Sequence, residues 1–310
     1  MYYKNYDFET IGEGVKSLVI DETDCDTWGH GKESYTKVIG RFQKAKFTLL
    51  ENGPLRTVLK AESAYEASVL SRYYILESES DEIKIKYKLD WHEKHRMLKI
   101  AVNTSLSETS SVCEIPFTDI ERCDSDEEHP CLRWVAVKGK QGVFSATNDC
   151  KYGFSENGGT LFLTSIRSPI YGDHGNVRNQ ESLYTDQGES EFSYAFSFIK
   201  EYDRAEIFER AERFNAIPEV ILENRHKGYL ADEASLFSVD IRNVATSAIK
   251  RAENGKGDVL RLYEVNGEKC ETVLSLQDKK YTVEFTPYEI KTLFIDDDMG
   301  ELREILITEL

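Results

Sequence analysis

Polar and aromatic residues gather in one part of the sequence in a pattern that suits sugar binding. The run Arg167-Ser-Pro-Ile-Tyr-Gly-Asp-His-Gly175 is followed, after a long polar loop, by Asp186-Gln-Gly-Glu-Ser-Glu-Phe192. Proteins bind sugars by stacking aromatic rings on C–H faces and by fixing hydroxyl groups with polar side chains, which loops commonly carry. The predicted substrate-binding residues are Arg167, Tyr171, Asp173, His174 and Asp186.

The same residue types also allow purely structural roles. Arg167 would then cap a turn, and Trp134 and Tyr152, which belong to two earlier polar and aromatic clusters, would lie in the core. For Trp134, which follows a polar loop at the start of a strand, we favour the core. For the loop residues both roles stay open, namely for Tyr171, Asp173 and His174.

Metal chemistry is the second possibility that the sequence raises. His92 and His95 are one residue closer than the H-E-x-x-H zinc signature requires, and alternation over residues 87–102 predicts a strand that turns them to opposite faces. Asp24-x-Asp26 and the acidic run 296–298 match only the beginning of a calcium loop. We therefore predict no metal site, no cofactor and no catalytic residue in this chain.

Charge and cysteine content restrict the partners and the compartment. The net charge of -17 repels the phosphate backbone and anionic membrane surfaces, so we predict no nucleic-acid and no membrane partner, whereas an uncharged sugar suits this charge. The six cysteines include no C-x-x-C pair. We expect reduced thiols and, because the start MYYKNYDFET has no signal-peptide pattern, a cytoplasmic protein.

Strands must position the polar loops, because most of the sequence alternates between apolar and polar residues. Residues 42–50 and 82–89 show this alternation, and polar turns such as 51–54 separate such segments. The one convincing helix begins after Asp203 as its N-cap and ends before Pro218. Strands with little helix between them predict an all-β fold of sandwiches instead of a βαβ protein.

A change in organisation near residue 220 predicts two domains. Short strands resume beyond it, at residues 235–240, 258–264, 271–276, 280–285 and 289–295. We predict a large β-sandwich over residues 1–219 and a small one over residues 220–310.

Nine short motifs follow one another over nearly the whole chain. They are Asp24-Cys-Asp-Thr-Trp28, Gly53-Pro-Leu-Arg56, Asp90-Trp-His-Glu-Lys-His-Arg-Met-Leu-Lys99, Glu128-His-Pro-Cys-Leu-Arg-Trp-Val135, Asn148-Asp-Cys-Lys-Tyr-Gly153, Arg167-Ser-Pro-Ile-Tyr171, Asp186-Gln-Gly188, Leu260-Arg-Leu-Tyr-Glu264 and Glu289-Ile-Lys-Thr-Leu293. Together they resemble the carboxy-terminal β region of family 38 glycoside hydrolases, the α-mannosidases.

The resemblance implies a fold and a division of labour. It implies a large galactose-mutarotase-like super-sandwich, a connecting helix and a small β-sandwich, in enzymes that remove α-linked mannose with retention. That family holds zinc with a His-x-Asp pair and a further His and Asp from preceding domains, and the last Asp is the nucleophile. None of the six histidines here is followed two residues later by Asp, so we expect zinc in a missing catalytic domain.

The resemblance also implies that the loop from Arg167 to His174 and the turn at Asp186 lie at the rim of the active site. The family pattern at the turn is similar to D-Q-G-E-H-E-F, and Ser190 stands here where His is expected. This departure weakens the prediction of direct sugar contact by the turn.

Three functions remain open on these grounds. The first is the C-terminal non-catalytic portion of an α-mannosidase, with N-terminal catalytic domains, a mannose-containing carbohydrate and a possible homo-oligomer as partners. The alternatives are a free-standing carbohydrate-binding or assembly module and a mutarotase-like epimerase, which needs a His and a Glu in one cleft. An exposed apolar, aromatic-rich face would favour the first function.

Overall fold

The computed structural model describes residues 14–29, 31–172, 181–229, 231–276, 279–297 and 300–308. Within these residues the chain forms 22 β-strands and one α-helix, which confirms the all-β prediction. Two compact units share the chain. The first comprises the described residues up to Ile115, then Asp119–Tyr202 and Arg210–Ala216, and the second comprises Pro116–Thr118, Asp203–Glu209 and the described residues from Ile217 onward. The boundary at residues 219 and 220 stays a prediction.

Fifteen strands precede the helix. In chain order they are β1 (Val15–Asp21), β2 (Val38–Phe42), β3 (Lys46–Asn52), β4 (Arg56–Tyr65), β5 (Ser68–Glu77), β6 (Ile83–Trp91), β7 (Arg96–Asn103), β8 (Ser110–Ile115), β9 (Thr118–Arg122), β10 (Ser125–Pro130), β11 (Trp134–Gly139), β12 (Gly142–Asn148), β13 (Gly153–Asn157), β14 (Thr160–Arg167) and β15 (Gly188–Ile199).

These strands build two sheets of unequal width from antiparallel pairs. The six-stranded sheet has the order β10-β13-β14-β7-β1-β2, and the nine-stranded sheet has the order β3-β4-β5-β6-β15-β12-β11-β8-β9. One buried apolar cluster joins Leu98 and Ile100 of the first sheet to Tyr87 and Phe192 of the second. Each such side chain contributes about 1.5–3 kcal/mol by leaving water. Trp134, fully buried, confirms its predicted core position.

A smaller core lies on the opposite face of the six-stranded sheet. Leu18 and Met97 belong to it, together with Cys25 and Tyr35 from the segment between β1 and β2. The segment over residues 22–37 is therefore anchored by apolar contacts of its own, and this anchoring matters for the site.

Two sequence predictions about strands were wrong. Residues 42–50 do not form one strand, because β2 ends at Phe42 and β3 begins at Lys46, in a different sheet, after Lys44 with a φ of 55°. The strand predicted over residues 87–102 is instead two strands of different sheets, since β6 of the nine-stranded sheet ends at Trp91 and β7 of the six-stranded sheet begins at Arg96. His95 has a φ of 53° and lies in the turn, where strand alternation does not apply.

The helix α1 (Arg204–Asn215) begins as predicted, because the Asp203 Oδ1 atom accepts a hydrogen bond of 2.9 Å from the Glu206 backbone N–H. No helix among the described residues has the length and apolar character that crossing a membrane requires. The remaining strands are β16 (Phe237–Val239), β17 (Val244–Arg251), β18 (Gly257–Glu264), β19 (Cys270–Leu276), β20 (Lys279–Phe285), β21 (Ile290–Asp296) and β22 (Leu302–Ile305).

The second unit is a small sandwich of its own. A three-stranded sheet (β16-β19-β20) and a four-stranded sheet (β17-β18-β21-β22) enclose a core that includes Leu262, Leu274 and Phe285. The buried Glu264 carboxylate accepts hydrogen bonds of 2.7–3.2 Å from four backbone N–H groups. The donors are those of residues 266, 267, 268 and 288. One side chain thus fixes the loop after β18 and the turn before β21.

We expect Glu264→Gln to destabilise the second unit by about 2–3 kcal/mol, because the new amide group directs donors at backbone donors. Amide hydrogen exchange at the four backbone positions should accelerate, as measured by mass spectrometry. The control is Glu271→Gln on the exposed side of β19, which should leave exchange unchanged. Equal exchange in both variants would show that Glu264 does not hold the two loops.

Candidate functional site

Three of the five predicted site residues lie around the C-terminal end of β14. Arg167 is its last residue. Tyr171 follows in a loop, and its backbone N–H donates to the Leu183 carbonyl at 2.9 Å. Asp186 precedes β15, and its Oδ2 atom lies 3.4 Å from the Arg167 backbone nitrogen as a weak acceptor. Asp173 and His174 lie outside the described residues.

The Arg167 guanidinium is held by a buried carboxylate. Its Nε atom donates to the Glu22 Oε1 atom at 2.6 Å, and its Nη2 atom contacts the same oxygen. The Nη2 atom also donates to the Tyr35 hydroxyl at 3.2 Å, and the guanidinium lies 5.2 Å from the centre of the Tyr35 ring. The Glu22 side chain is fully buried, whereas 34% of the Arg167 side chain is exposed. A ligand can therefore reach the cation but not its counter-ion.

Burial and the ion pair act in opposite directions on the Glu22 carboxyl. Burial raises the pKa of Glu22 above its ordinary value, and the positive charge of Arg167 opposes this rise. Burial also raises the pKa of Tyr35, so its hydroxyl stays protonated near neutral pH. Arg167 therefore favours the ionised form of Glu22, against the effect of burial.

The base of the site is fixed by the last residue of β6, Trp91, and by His95 in the turn that follows. The Trp91 indole donates to the Ser168 hydroxyl at 2.6 Å, and the His95 backbone N–H donates to the Ser168 carbonyl at 2.8 Å. The His95 ring lies edge-on to Tyr184, with 3.0 Å between its Nε2 atom and the Tyr184 hydroxyl. Residues far apart in sequence thus hold the chain just after Arg167.

Exposed aromatic rings flank this base. Tyr171 is 71% exposed, and Trp28 is 70% exposed. The loops that carry them are tied together, because the Thr27 backbone N–H donates to the Ile170 carbonyl and the Gly172 backbone N–H donates to the Thr27 hydroxyl. Exposed rings on neighbouring fixed loops suit stacking on sugar C–H faces.

The turn before β15 has its own support. Asp186 has a φ of 50°, and the Gln187 side-chain amide donates to the Glu93 carbonyl at 2.9 Å. Ser190, at the position of the departure from the family pattern, is half-buried and pairs with Leu89. Its side chain faces the same side of the sheet as the buried Phe192.

Sequence reasoning missed three residues of this site, namely Glu22, Trp28 and Tyr35. Glu22 and Tyr35 are separated from Arg167 by 145 and 132 residues, so no local pattern connects them. Trp28 was within reach, since an aromatic residue after two aspartates in a polar run is an unusual candidate for the core.

Metal ligands do not converge in the part of the chain that the structure describes, where no group of three or more His, Cys, Asp or Glu side chains could hold an ion. His92, in the β6–β7 turn, instead lies 2.7 Å from the Asp90 carboxylate. A catalytic zinc does not fit these residues.

Comparisons with a family model and with curated proteins point to the same family. Residues 21–175 match the family described as "Glycosyl hydrolases family 38 C-terminal domain". The chain is 26% identical over 265 residues to Alpha-mannosidase 2C1 of Mus musculus, covering 74% of this chain and 24% of that protein. It is 25% identical over 277 residues to Alpha-mannosidase G of Dictyostelium discoideum, and this match covers 82% of this chain and 24% of that protein. The chain thus spans about a quarter of the length of these relatives.

Two solved structures share the fold. One is an alpha-mannosidase from Enterococcus faecalis V583, with a TM-score of 0.73, 13% identity and coverage of 90% of this chain and 38% of that chain. The other is a protein in glycosyl hydrolase family 38 from Enterococcus faecalis, with a TM-score of 0.77, 15% identity and coverage of 90% and 40%.

The Glu22–Arg167 pair leads us to predict how the stability of an Arg167 variant depends on pH. We expect Arg167→Met to destabilise the first unit by about 3 kcal/mol at pH 8, because it leaves Glu22 buried without its counter-ion. The folded-state pKa of Glu22 then rises further above its unfolded value of about 4.3. The stability of the variant is therefore highest at pH values below the unfolded-state pKa of Glu22, and it is lost as the pH rises through the folded-state pKa. Urea denaturation at several pH values measures this loss.

The double variant Glu22→Gln, Arg167→Met is the control, because it carries no charge at either position. It should recover most of the lost stability and remove the added pH dependence. A single Arg167→Met variant as stable at pH 8 as at pH 5 would contradict the assignment.

Proposed function

Because this chain belongs to the glycosyl hydrolase family 38 C-terminal domain family, we propose that it is the non-catalytic β region of an α-mannosidase. Its role is to support the catalytic domains and to shape the pocket that binds α-linked mannose. The match to a family described as a C-terminal domain supports a role beside other domains. The observation that carries the sugar-site part is the partly exposed Arg167 cation, fixed by a fully buried carboxylate beside two exposed aromatic rings.

Each group at this site has a role that its chemistry suits. Arg167 donates hydrogen bonds to sugar hydroxyl oxygens while Glu22 keeps its guanidinium in one orientation. Tyr171 and Trp28 offer ring faces for stacking. Asp186, also exposed, accepts hydrogen bonds from hydroxyl groups. These groups bind and orient a sugar, and bond cleavage belongs to the catalytic domains, which would supply zinc and the nucleophile.

The same proposal includes a location and a ligand class. All six cysteines are free thiols, a state that reducing compartments favour, and we keep the cytoplasm as the proposed location. The proposed ligand is a mannose-containing carbohydrate, which the acidic chain does not repel.

The test joins this chain to the catalytic domains of the Enterococcus faecalis α-mannosidase in place of that enzyme's own β region. Hydrolysis of 4-nitrophenyl α-mannoside is measured with added zinc for the joined protein, the catalytic domains alone and this chain alone. We expect activity chiefly in the joined protein. Activity of this chain alone would overturn the non-catalytic role, and sugar binding by this chain with no gain on joining would favour a free-standing binding module.

Aromatic variants of the joined protein test the sugar-site part. We expect Tyr171→Ala or Trp28→Ala to raise KM about three- to tenfold, the range that loss of one aromatic contact gives. Tyr229→Ala is the matched control, since that tyrosine is 96% exposed and lies outside the site. Unchanged KM in all three variants would place the sugar elsewhere.

A further inference from the structure

At one edge of the nine-stranded sheet, the described residues leave apolar side chains exposed or only partly covered. They come from three strands and share one side of the sheet, as the register shows by pairing Leu49 with Leu59 and Leu59 with Tyr74. We call this surface the β3–β5 apolar face, and it consists of Phe47, Leu49, Leu59, Tyr74 and Leu76. Phe47 is 62% exposed, Leu49 56% and Leu76 47%.

This face lies on the side of the sheet that elsewhere forms the core. Tyr74 pairs with the buried Ile85, and Leu76 pairs with Ile83. The opposite side of the nine-stranded sheet carries ion pairs, between Lys60 and Glu62 on β4 and between Glu191 of β15 and two lysines of β6. The sheet is therefore patterned to be buried on one side, and at this edge the burying layer is absent from the described residues.

A buried arginine lies on the same side of the sheet. Arg72 pairs in register with Ala61 and Tyr87 and is 7% exposed. Its only described hydrogen bond runs from the Nη2 atom to the Ser63 hydroxyl at 3.2 Å. Its Nε atom and the fully buried Tyr87 hydroxyl have no partner among the described residues, and no described carboxylate forms an ion pair with Arg72.

Arg210 shows what this protein does with a comparable cation. It is 6% exposed, and its two terminal nitrogens donate to the two oxygens of Asp81 at 2.6 and 2.7 Å. A buried cation without a counter-ion is strongly unfavourable. The contrast with Arg210 therefore indicates that Arg72 lacks a counter-ion among the described residues. The Arg72 guanidinium thus has N–H donors beyond the one that bonds Ser63, and a carboxylate would satisfy them.

We propose that the β3–β5 apolar face is the surface on which the catalytic domains dock, through an apolar segment that places an Asp or Glu carboxylate on Arg72. The inference rests on the proposed function and adds to it the face and the chemistry of the contact. Two observations select this occupant over a second copy of the chain. The match covers only 24% of each of two curated relatives, so those relatives have further chain that could dock on such a face. The face itself carries a cation and no carboxylate, so it does not complement itself.

The first test measures thermal unfolding of this chain by itself. Arg72→Met should raise Tm by roughly 2–4 °C, because it replaces an unpaired buried charge with an apolar side chain of similar length. Arg210→Met is the matched control and should lower Tm, because it removes two hydrogen bonds to Asp81 and the cation that lies 3.9 Å from the largely buried Glu82. A fall in Tm for Arg72→Met of the same size as for Arg210→Met would overturn the proposal.

The second test repeats both substitutions in the protein joined to the catalytic domains. If docking supplies a carboxylate, Arg72→Met changes sign and lowers Tm. Phe47→Ser with Leu76→Ser should also lower Tm there, while Ile249→Ser with Ile290→Ser, exposed apolar residues of the second unit, should not. Activity of the joined protein without this sign change would overturn the docking proposal alone, whereas absence of the activity gain would overturn the proposed function.

Sedimentation of this chain alone tests whether a second copy of the chain, instead of the catalytic domains, covers the β3–β5 apolar face. A monomer agrees with the proposal. A dimer that Phe47→Ser with Leu76→Ser dissociates would assign the face to a second copy and overturn it.

Discussion

The ion pair between Glu22 and Arg167 is the contact on which the architecture of the first unit's polar end depends. It joins the segment after β1 to the end of β14, two neighbours of β7 in the six-stranded sheet. Because Glu22 is inaccessible and Arg167 is not, the pair turns a buried charge into a fixed surface donor. The smaller core beneath residues 22–37 supplies the rigidity that this arrangement needs.

Unequal sheet width is the second organising fact of the first unit. Nine strands face six, so one sheet must extend beyond the layer that covers it. Phe42 of β2 packs against Tyr65, the last residue of β4, and against Trp91 of β6. Farther along β3, β4 and β5, the same side carries the exposed Phe47, Leu49 and Leu76. The sandwich and its unfinished edge are thus consequences of one pattern of alternation continued past the point where its partner sheet ends.

Sequence alone predicted the all-β fold, the capped helix and the buried Trp134, because alternation, capping and aromatic bulk are local signals. It also predicted Arg167, Tyr171 and Asp186, which the fold brings near one another, although their sugar contacts stay a prediction. It missed Glu22 and Tyr35, whose partner lies more than 130 residues away. It also merged β2 with β3, because alternation continues across Lys44 while the backbone there turns into a different sheet.

The pairing of β6 with β15 determines how late in synthesis the nine-stranded sheet can close. Residue 85 lies opposite residue 194, so the centre of the nine-stranded sheet closes only after more than a hundred further residues have left the ribosome. Until then the β3–β6 meander has neither its central neighbour nor its apolar cover. A nascent chain in this state exposes strand edges that invite aggregation. Rapid synthesis or chaperone protection over this interval therefore favours the folded protein over aggregates.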